Sequence, residues 1–334
     1  MHEPAELAAA RQASRYSVAI CTYNGERFVE AQLDSVLAAH PSCEEIVLID
    51  DASQDKSLAI ARRVLDRVGV RTVIERNARN GGSLRSFERA LGLTNEPIVF
   101  LADQDDLWHR DKPARMLAEF ERRPDLLLLH SDARLVDDAG RPIGPTLLGA
   151  IEASAFERDA IHRGAAFDAL IRRNLATGAT MALRRSLLDV ALPIPDGWVH
   201  DEWLAIVASA IGTVDFLDAP LIDYRQHANN QIGARKLSYR DKVDRAFDKP
   251  DEFYALQIER TTALLDRLVA LGPRVLPERL DALRNKLVHL HIRAGLPRNR
   301  LARLIPIVGQ WLSGGYQRYS TGVKSVLRDL FHAS

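Results

Sequence analysis

The order of hydrophobic and polar positions predicts strands that alternate with helices from Ser17 onward. Short apolar runs of strand length end in polar residues at SVAICTYN, at IVLIDD and at IVFLADQDD. Stretches with helical spacing follow them, and the first has an apolar stripe that includes Val29, Leu33 and Val36. Strands separated by helices predict a parallel sheet with crossover helices.

The stretch EPIVFLADQDDLWHRDK, residues 96–112, combines a buried strand with a cluster of acids. Alternation along an extended chain places Asp103 and Asp105 on one side and Asp106 on the other. Carboxylates spaced in this way suit a hard divalent cation, which Mg²⁺ would share with substrate phosphates. A solvated acidic loop is the alternative.

The other polar strand ends are expected at the same edge of the sheet, because parallel sheets bind ligands beyond the carboxyl ends of their strands. Asp50 and Asp51 follow the second strand, and the turn Thr22-Tyr23-Asn24 follows the first. No G-x-G-x-x-G follows the first strand and no P-loop is present, which excludes the usual dinucleotide-binding and P-loop sites.

Length and composition favour one large domain with an appendage in a chain of 334 residues. We expect a loose leader over 1–15, an α/β domain over 16–235 and a helical extension over 236–334. Lysine plus arginine equals aspartate plus glutamate, 45 each, so no overall charge indicates a nucleic-acid partner. Two cysteines without a pairing pattern, no signal-peptide pattern and no window of membrane-spanning length favour the cytoplasm.

Three local expectations concern Ser53, residues 145–174 and the end of the sheet. Ser53 is placed to cap the helix that follows the second strand. Residues 145–174 should form a helix and a loop, and TVDFLDAPLIDY an edge strand. The last stretch, from Arg298 to Phe331, mixes apolar residues with arginines and a lysine. It would either lie on a membrane surface or pack on the domain or on another subunit.

Taken together, the motifs resemble glycosyltransferase family 2, the inverting nucleotide-sugar transferases. The matching pieces are SVAICTYNGERF, VLIDDASQDKS, RNARNGGSLRSFERAL, FLADQDDLW, ATGATMALRR and VHDEW, in the family's order across residues 16–233. DQDDLW, the HD-x-W motif and YRQHANN are most similar to the rhamnosyltransferase-type branch that builds bacterial surface polysaccharides. The resemblance implies a GT-A fold, a Rossmann-like and mostly parallel sheet flanked by helices, with a C-terminal helical extension.

The resemblance also implies roles for individual residues. Asp201 falls at the position of the catalytic base. Asp103 and Asp105 match the family's DxD and would bind Mg²⁺ or Mn²⁺, with His227 as a late metal or diphosphate contact. The nucleotide pocket would be formed by Thr22, Tyr23, Asn24, Asp50, Asp51, Asn80 and Asp103. Contacts to the acceptor or the donor sugar would come from Asp106, Trp108, Gly178, His200, Glu202, Trp203 and Arg225. Glu202 departs from the branch, which commonly has two aromatic residues after His-Asp.

The predicted activity is transfer of a sugar, rhamnose being one candidate, from a dTDP- or UDP-linked donor to a hydroxyl of a glycan acceptor. The metal would neutralise charge on the leaving nucleoside diphosphate while one carboxylate deprotonates the hydroxyl. The acceptor could be lipid-linked, free or attached to protein. Asp201 could instead cap its helix, the tryptophans could belong to the core, and His227 could be structural. A sugar-nucleotide sensor on the same fold and an Asp-dependent phosphatase are the alternative functions.

Overall fold

A computed structural model describes residues 15–226 and 250–331, and within them the strands form an eight-stranded sheet. Its order is β3-β2-β1-β4-β7-β6-β8-β5. β1 is parallel to β2 and β4, β2 to β3, and β6 to β8, whereas β7 runs antiparallel to β4 and β6, and β5 to β8. The strands are β1 (Tyr16–Thr22), β2 (Glu45–Asp50), β3 (Arg71–Arg76), β4 (Ile98–Asp103), β5 (Leu107–Trp108), β6 (Leu126–Val136), β7 (Met181–Arg184) and β8 (Thr213–Arg225). The sheet is therefore mixed, and its four N-terminal strands are all parallel.

Helices cover both faces of this sheet and continue beyond it. The α/β part has α1 (Val29–Leu37), α2 (Ser57–Leu65), α3 (Gly82–Leu93), α4 (Lys112–Arg122), α5 (Leu147–Ala150), α6 (Ala155–His162), α7 (Ala166–Leu170), α8 (Leu188–Ala191) and α9 (His200–Ile211). The C-terminal part has α10 (Pro250–Ala270), α11 (Pro277–Ala294), α12 (Arg300–Leu312), α13 (Gly315–Tyr319) and α14 (Val323–Phe331). Within the described ranges, no helix combines the length and the apolar character needed to cross a membrane.

The continuous apolar run of β2 is explained by the two cores that the sheet separates. Ile46 and Leu48 pack on one face, and Val47 and Ile49 on the other. Successive side chains of a strand point to opposite faces, so a strand covered on both sides has no polar alternation.

The C-terminal helices share one of these cores with the α/β part. Leu264 and Leu268 of α10 and Leu283 of α11 are fully buried in the cluster that also contains Trp203 and Leu204 of α9. The predicted division near residue 236 falls outside the described residues, and α10 and α11 pack against α9 of the α/β part.

Two local expectations need correction, and a third is refined. Ser53 does not cap α2, which begins at Ser57 after Lys56; instead its hydroxyl accepts a hydrogen bond from the backbone N–H of Asn24 at 3.0 Å. Residues 145–174 contain three short helices rather than one, and Ser154 with Glu157 forms a capping box on α6. β8 is bordered beyond β6 only by the two-residue β5, close to the predicted edge strand.

Candidate active site

The carboxyl ends of β1, β2 and β4 bring the predicted polar residues to one edge of the sheet. Thr22 is paired in register with Asp50, and Cys21 with Asp103. Asp50 accepts a hydrogen bond from the Ser53 N–H at 3.0 Å and lies 3.3 Å from Arg76 Nε. The shared edge predicted from the alternating pattern is therefore present.

Asp51 organises the turn that contains Asn80. Its carboxylate accepts hydrogen bonds from Asn77 Nδ2 at 2.7 Å and from the backbone N–H groups of Gly81 and Gly82, both at 2.8 Å. Asn80 Oδ1 accepts from the same Gly82 N–H at 3.2 Å, and Gly82 has a φ of +81°. An ionised carboxylate has about four lone-pair sites, so Asp51 retains room for one further donor such as a base N–H.

Gln104, the central residue of the Asp-x-Asp motif, connects that motif to the first loop. Its Oε1 accepts from Thr22 Oγ1 at 2.7 Å and from the Tyr23 N–H at 2.8 Å, while its Nε2 donates to the Tyr23 carbonyl at 3.1 Å. A Cβ atom on Gly25 would lie 2.1 Å from Gln104 Oε1, so a larger residue there would displace the Gln104 side chain from these bonds. The sequence contained no signal for this role, because the middle position of the motif gives no indication of its partner.

The acids of the motif surround a buried lysine that sequence analysis also missed. Lys112 is fully buried, donates to the Ala179 carbonyl at 2.8 Å and places Nζ 4.0 Å from the Trp108 ring centroid. Burial lowers the pKa of Lys112 to about 7 against the opposing charges of Asp106 and Asp103. Desolvation, Asp105 and Asp201 raise the pKa of Asp103 to about 7, which Lys112 partly offsets. The site has more negative charge than one lysine compensates.

A divalent cation fits this excess of negative charge. Among the described residues, no group of three or more His, Cys, Asp and Glu side chains is arranged to hold a metal by itself. Mg²⁺ is commonly bound through one or two carboxylates together with substrate phosphates and water, so Asp103 and Asp105 suffice as protein ligands for such a site. His227 lies outside the described residues.

Asp201 lies in the first turn of α9 and is partly exposed. Its carboxylate accepts from the Gly178 N–H at 3.1 Å, the Glu202 N–H at 2.6 Å and Asn174 Nδ2 at 3.4 Å. Desolvation raises its pKa to about 6, against the lowering effect of the bonds from Gly178 and Glu202. Val199, not Asp201, occupies the N-cap position of the helix. Because the charge of Asp201 raises the pKa of Asp103, the two carboxylates act within electrostatic reach of each other.

Four of the residues predicted as acceptor or donor-sugar contacts are buried in the structure and have partners within the protein. Trp203 is fully buried and donates from Nε1 to the Ala191 carbonyl at 2.7 Å. Trp108 is buried against Phe100. His200 is buried and stacked on Phe87 at 4.1 Å, where burial lowers its pKa to about 3. Asp106 is buried and accepts from the Arg225 N–H at 2.9 Å.

The remaining predicted contacts are Gly178, Arg225 and Glu202, and each is packed against or bonded to a neighbouring segment. Gly178 is required because a Cβ there would lie 2.6 Å from His200 Nε2. Arg225 is buried, donates to the carbonyls of Asp105 and Asp138 at 2.9 and 2.7 Å, and lies over the Phe28 ring. Glu202 forms an ion pair with Arg260 of α10. These contacts fix the loops that present the acids.

The overall arrangement is that of the GT-A glycosyltransferases. The structure is similar to TarS 1–349 of S. aureus solved with UDP-GlcNAc, with a TM-score of 0.55 and 16% identity over 95% of this chain and 81% of that one. It is also similar to a mannosyltransferase of Pyrobaculum calidifontis solved with GDP-Man and Mn²⁺, with a TM-score of 0.51 and 17% identity over 90% of this chain and 75% of that one. These likenesses confirm the predicted fold.

The sequence identifies the family. Residues 17–188 match the model of glycosyl transferase family 2, and the chain belongs to that family. A dTDP-rhamnosyl transferase of Shigella flexneri, RfbG, is 24% identical over 257 residues, covering 74% of this chain and 85% of the relative. An uncharacterized glycosyltransferase of a Nostoc strain is 26% identical over 232 residues, covering 66% of this chain and 67% of the relative. The predicted glycosyltransferase family is confirmed.

Proposed function

We propose that this chain is an inverting, metal-dependent glycosyltransferase that moves a sugar from a nucleoside-diphosphate donor to a hydroxyl of a glycan acceptor. The observation that carries the proposal is that Asp51 and Asp103 lie at the carboxyl ends of β2 and β4, with Asp201 close enough for its charge to raise the pKa of Asp103. In this proposal Asp51 accepts from the base, Asp103 faces the metal and Asp201 accepts the proton.

Each part of the cavity has a distinct task in this proposal. The loop of Thr22 and Tyr23, fixed by Gln104, and the turn fixed by Asp51 bind the nucleoside. Asp103 and Asp105 would hold Mg²⁺ or Mn²⁺, which when bound stabilises the charge that develops on the leaving diphosphate.

Asp201 takes the proton from the attacking hydroxyl. A pKa of about 6 keeps most of this carboxylate ionised at neutral pH and makes it a stronger base than an ordinary aspartate. The hydroxyl oxygen forms its bond to the anomeric carbon as the bond to the diphosphate breaks. A single displacement needs no covalent nucleophile and inverts the anomeric centre.

The relatives narrow the substrates that we propose. The name of RfbG supports a dTDP-linked donor and rhamnose, UDP-linked sugars being the second choice because TarS was solved with UDP-GlcNAc. A succinoglycan biosynthesis protein of Rhizobium meliloti, 30% identical over 81 residues, supports a glycan acceptor in bacterial polysaccharide synthesis. We assign the reaction to the cytoplasmic face of the membrane, with a lipid-linked acceptor.

Calorimetric titration with UDP, dTDP and GDP, each with Mg²⁺ or Mn²⁺ and again with chelator, tests the donor site. We expect metal-dependent binding of one diphosphate, abolished in Asp105→Ala and retained in Asp34→Ala, an exposed aspartate on α1. Absence of binding under all conditions would contradict the proposal. Tight binding without transfer would favour the sensor, and phosphate release from generic phosphomonoesters would favour the phosphatase.

A further inference from the structure

On the helices α12 and α14 most apolar side chains face solvent while charged and polar side chains face inward, the reverse of an ordinary surface helix. On α12 the inward positions are Arg303 and Ile307, and on α14 they are Ser325 and Asp329. The apolar side chains point to solvent at helical spacing, and we call them the outer face: Leu301, Leu304, Ile305, Val308 and Leu312 of α12 with Val323, Leu327 and Phe331 of α14. Leu301, Ile305 and Leu312 are 77%, 81% and 79% exposed. Single exposed leucines are normal, whereas a stripe of this kind marks an interaction site.

Buried polar contacts fix this orientation. Asp329 accepts from Arg293 Nε at 2.7 Å, Arg293 Nη2 at 2.9 Å and Tyr316 Oη at 2.6 Å, with all three side chains buried. Arg303 donates to the carbonyls of Asp329 and Pro297, which joins α12 to α14. Rotating α14 to hide its apolar side would leave Arg293 buried without its charged partner, which is costly. Rotating α12 would break the hydrogen bonds from Arg303 to the carbonyls of Asp329 and Pro297. The exposed stripe is therefore a stable property of the fold.

The segment that contains the outer face is almost entirely basic, although Lys324 lies 3.6 Å from the exposed carboxylate of Glu152. Between residues 296 and 331 the sequence contains the basic residues Arg298, Arg300, Arg303, Arg318, Lys324 and Arg328. The only acid in this segment is Asp329, which is buried against Arg293. Arg298, Arg300, Arg318 and Lys324 are exposed. A twofold contact between copies would place these basic groups against each other, whereas an anionic lipid surface complements them.

We propose that the outer face of α12 and α14 docks on the anionic headgroup region of a phospholipid bilayer. The apolar stripe enters the boundary of the acyl chains, and the exposed arginines and Lys324 contact the phosphates. Trp311, partly exposed on α12, belongs to the residue type that concentrates at membrane interfaces. The inference does not rest on the proposed catalytic roles, and it supplies the surface on which a lipid-linked acceptor is presented.

Co-sedimentation of the full chain with phosphatidylcholine vesicles, with and without phosphatidylglycerol, tests the proposal. We expect binding that requires phosphatidylglycerol and weakens as salt is raised. Val308→Asp should weaken binding by about tenfold or more, because it removes an apolar side chain from the interface and adds a repelled charge. The matched control is Val269→Asp on α10, since both valines are 50% exposed. Arg298→Glu combined with Lys324→Glu should weaken binding by at least about tenfold, as each basic side chain contributes about fivefold.

Three results would overturn the proposal. The first is a wild-type chain that binds neither kind of vesicle. The second is a Val308→Asp variant that binds as tightly as Val269→Asp. The third is a dimer, measured by light scattering, that Val308→Asp dissociates without changing vesicle binding, which would assign the outer face to a second copy. Circular dichroism and thermal unfolding of each variant report that it is folded, and calorimetric nucleotide binding, measured separately, distinguishes failure of docking from failure of the catalytic proposal.

Discussion

Glu202 and Arg260 form an ion pair between the first turn of α9 and the middle of α10. The Arg260 guanidinium also lies 4.3 Å from the Trp198 ring centroid, and Trp198 Nε1 donates to the Arg260 carbonyl at 3.3 Å. Glu202 follows Asp201 directly, so the C-terminal helices are joined to the helix that presents the proposed base. The departure from the aromatic residue that the branch commonly has at this position is explained by a partner on α10.

Arg260→Met should lower the free energy of unfolding by about 2 kcal/mol, because it leaves a largely buried carboxylate without its charged partner. The ion pair Arg63–Glu30 between α2 and α1 is exposed on both sides, and Arg63→Met should cost less than about 1 kcal/mol. Denaturant unfolding measures both, and a double-mutant cycle with Glu202→Gln isolates the coupling. Equal losses of unfolding free energy for the two variants would show that the Glu202–Arg260 pair stabilises the fold no more than an exposed ion pair does.

Asp201→Asn should lower kcat by about 10²–10⁴-fold, the usual contribution of a positioned proton acceptor. The amide oxygen of asparagine can still accept from the Gly178 N–H, so calorimetric binding of the nucleotide should remain close to wild type. Asp34→Asn on the exposed side of α1 is the control. Unimpaired transfer by Asp201→Asn would remove this residue from the mechanism.

Protonation of Asp201 determines how kcat/KM is expected to fall at acid pH. With a pKa of about 6, raised by desolvation, Asp201 is protonated and inactive as a base below that pH. At saturating divalent metal, which keeps Asp103 ionised, we therefore expect kcat/KM to be level above pH 6 and to fall by about tenfold for each unit below it. Initial rates measured from neutral pH downward in buffers of constant ionic strength provide the profile. A rate that stays level well below pH 6 would contradict the assignment.

Gln104→Leu should raise the KM for the donor by about tenfold while changing kcat much less. The change removes the partner of Thr22 Oγ1 and of both backbone groups of Tyr23, so the first loop loses its link to the Asp-x-Asp motif. Gln54→Leu is the matched control, because the Gln54 side-chain amide donates to the Ala52 carbonyl within its own loop. If both variants have the same KM, Gln104 has no positioning role.

Much of the fold was accessible from the sequence because local patterns determine it. The strand ends at Thr22, Asp50 and Asp103 follow from apolar runs, and their convergence follows from parallel pairing. Gln104, Lys112 and Arg260 could not be found in this way. Their partners lie 81, 67 and 58 residues away along the chain, and no periodicity indicates a contact over that distance.

Trp203 shows that proximity in sequence to a candidate site residue does not predict a shared position in space. Trp203 stands in the VHDEW motif, and proximity in sequence to Asp201 predicted a sugar contact. In the helix, however, positions 201 and 203 are about 200° apart, so the two side chains point to different sides. Asp201 is partly exposed and accepts from the Gly178 N–H, whereas Trp203 lies in the core.

The lowered pKa of Glu157 predicts how the stability of the fold changes with acid pH. Its carboxylate closes the capping box on α6 and pairs with Arg173 Nη2 at 2.8 Å. Burial alone would raise its pKa, but the hydrogen bonds from Arg173 and Ser154 outweigh it and lower the pKa to about 2. Because the pKa is depressed on folding, the stabilisation is complete above the ordinary value of 4.5 and is lost as the pH falls towards 2. We expect a loss of about 3 kcal/mol in the free energy of unfolding across that window.

Urea unfolding of wild type and Glu157→Gln at a series of pH values measures this loss. Glu278→Gln, which changes an exposed glutamate in the first turn of α11, is the control. The difference in unfolding free energy between wild type and Glu157→Gln should shrink as the pH falls below 4.5, and a constant difference would contradict the assignment.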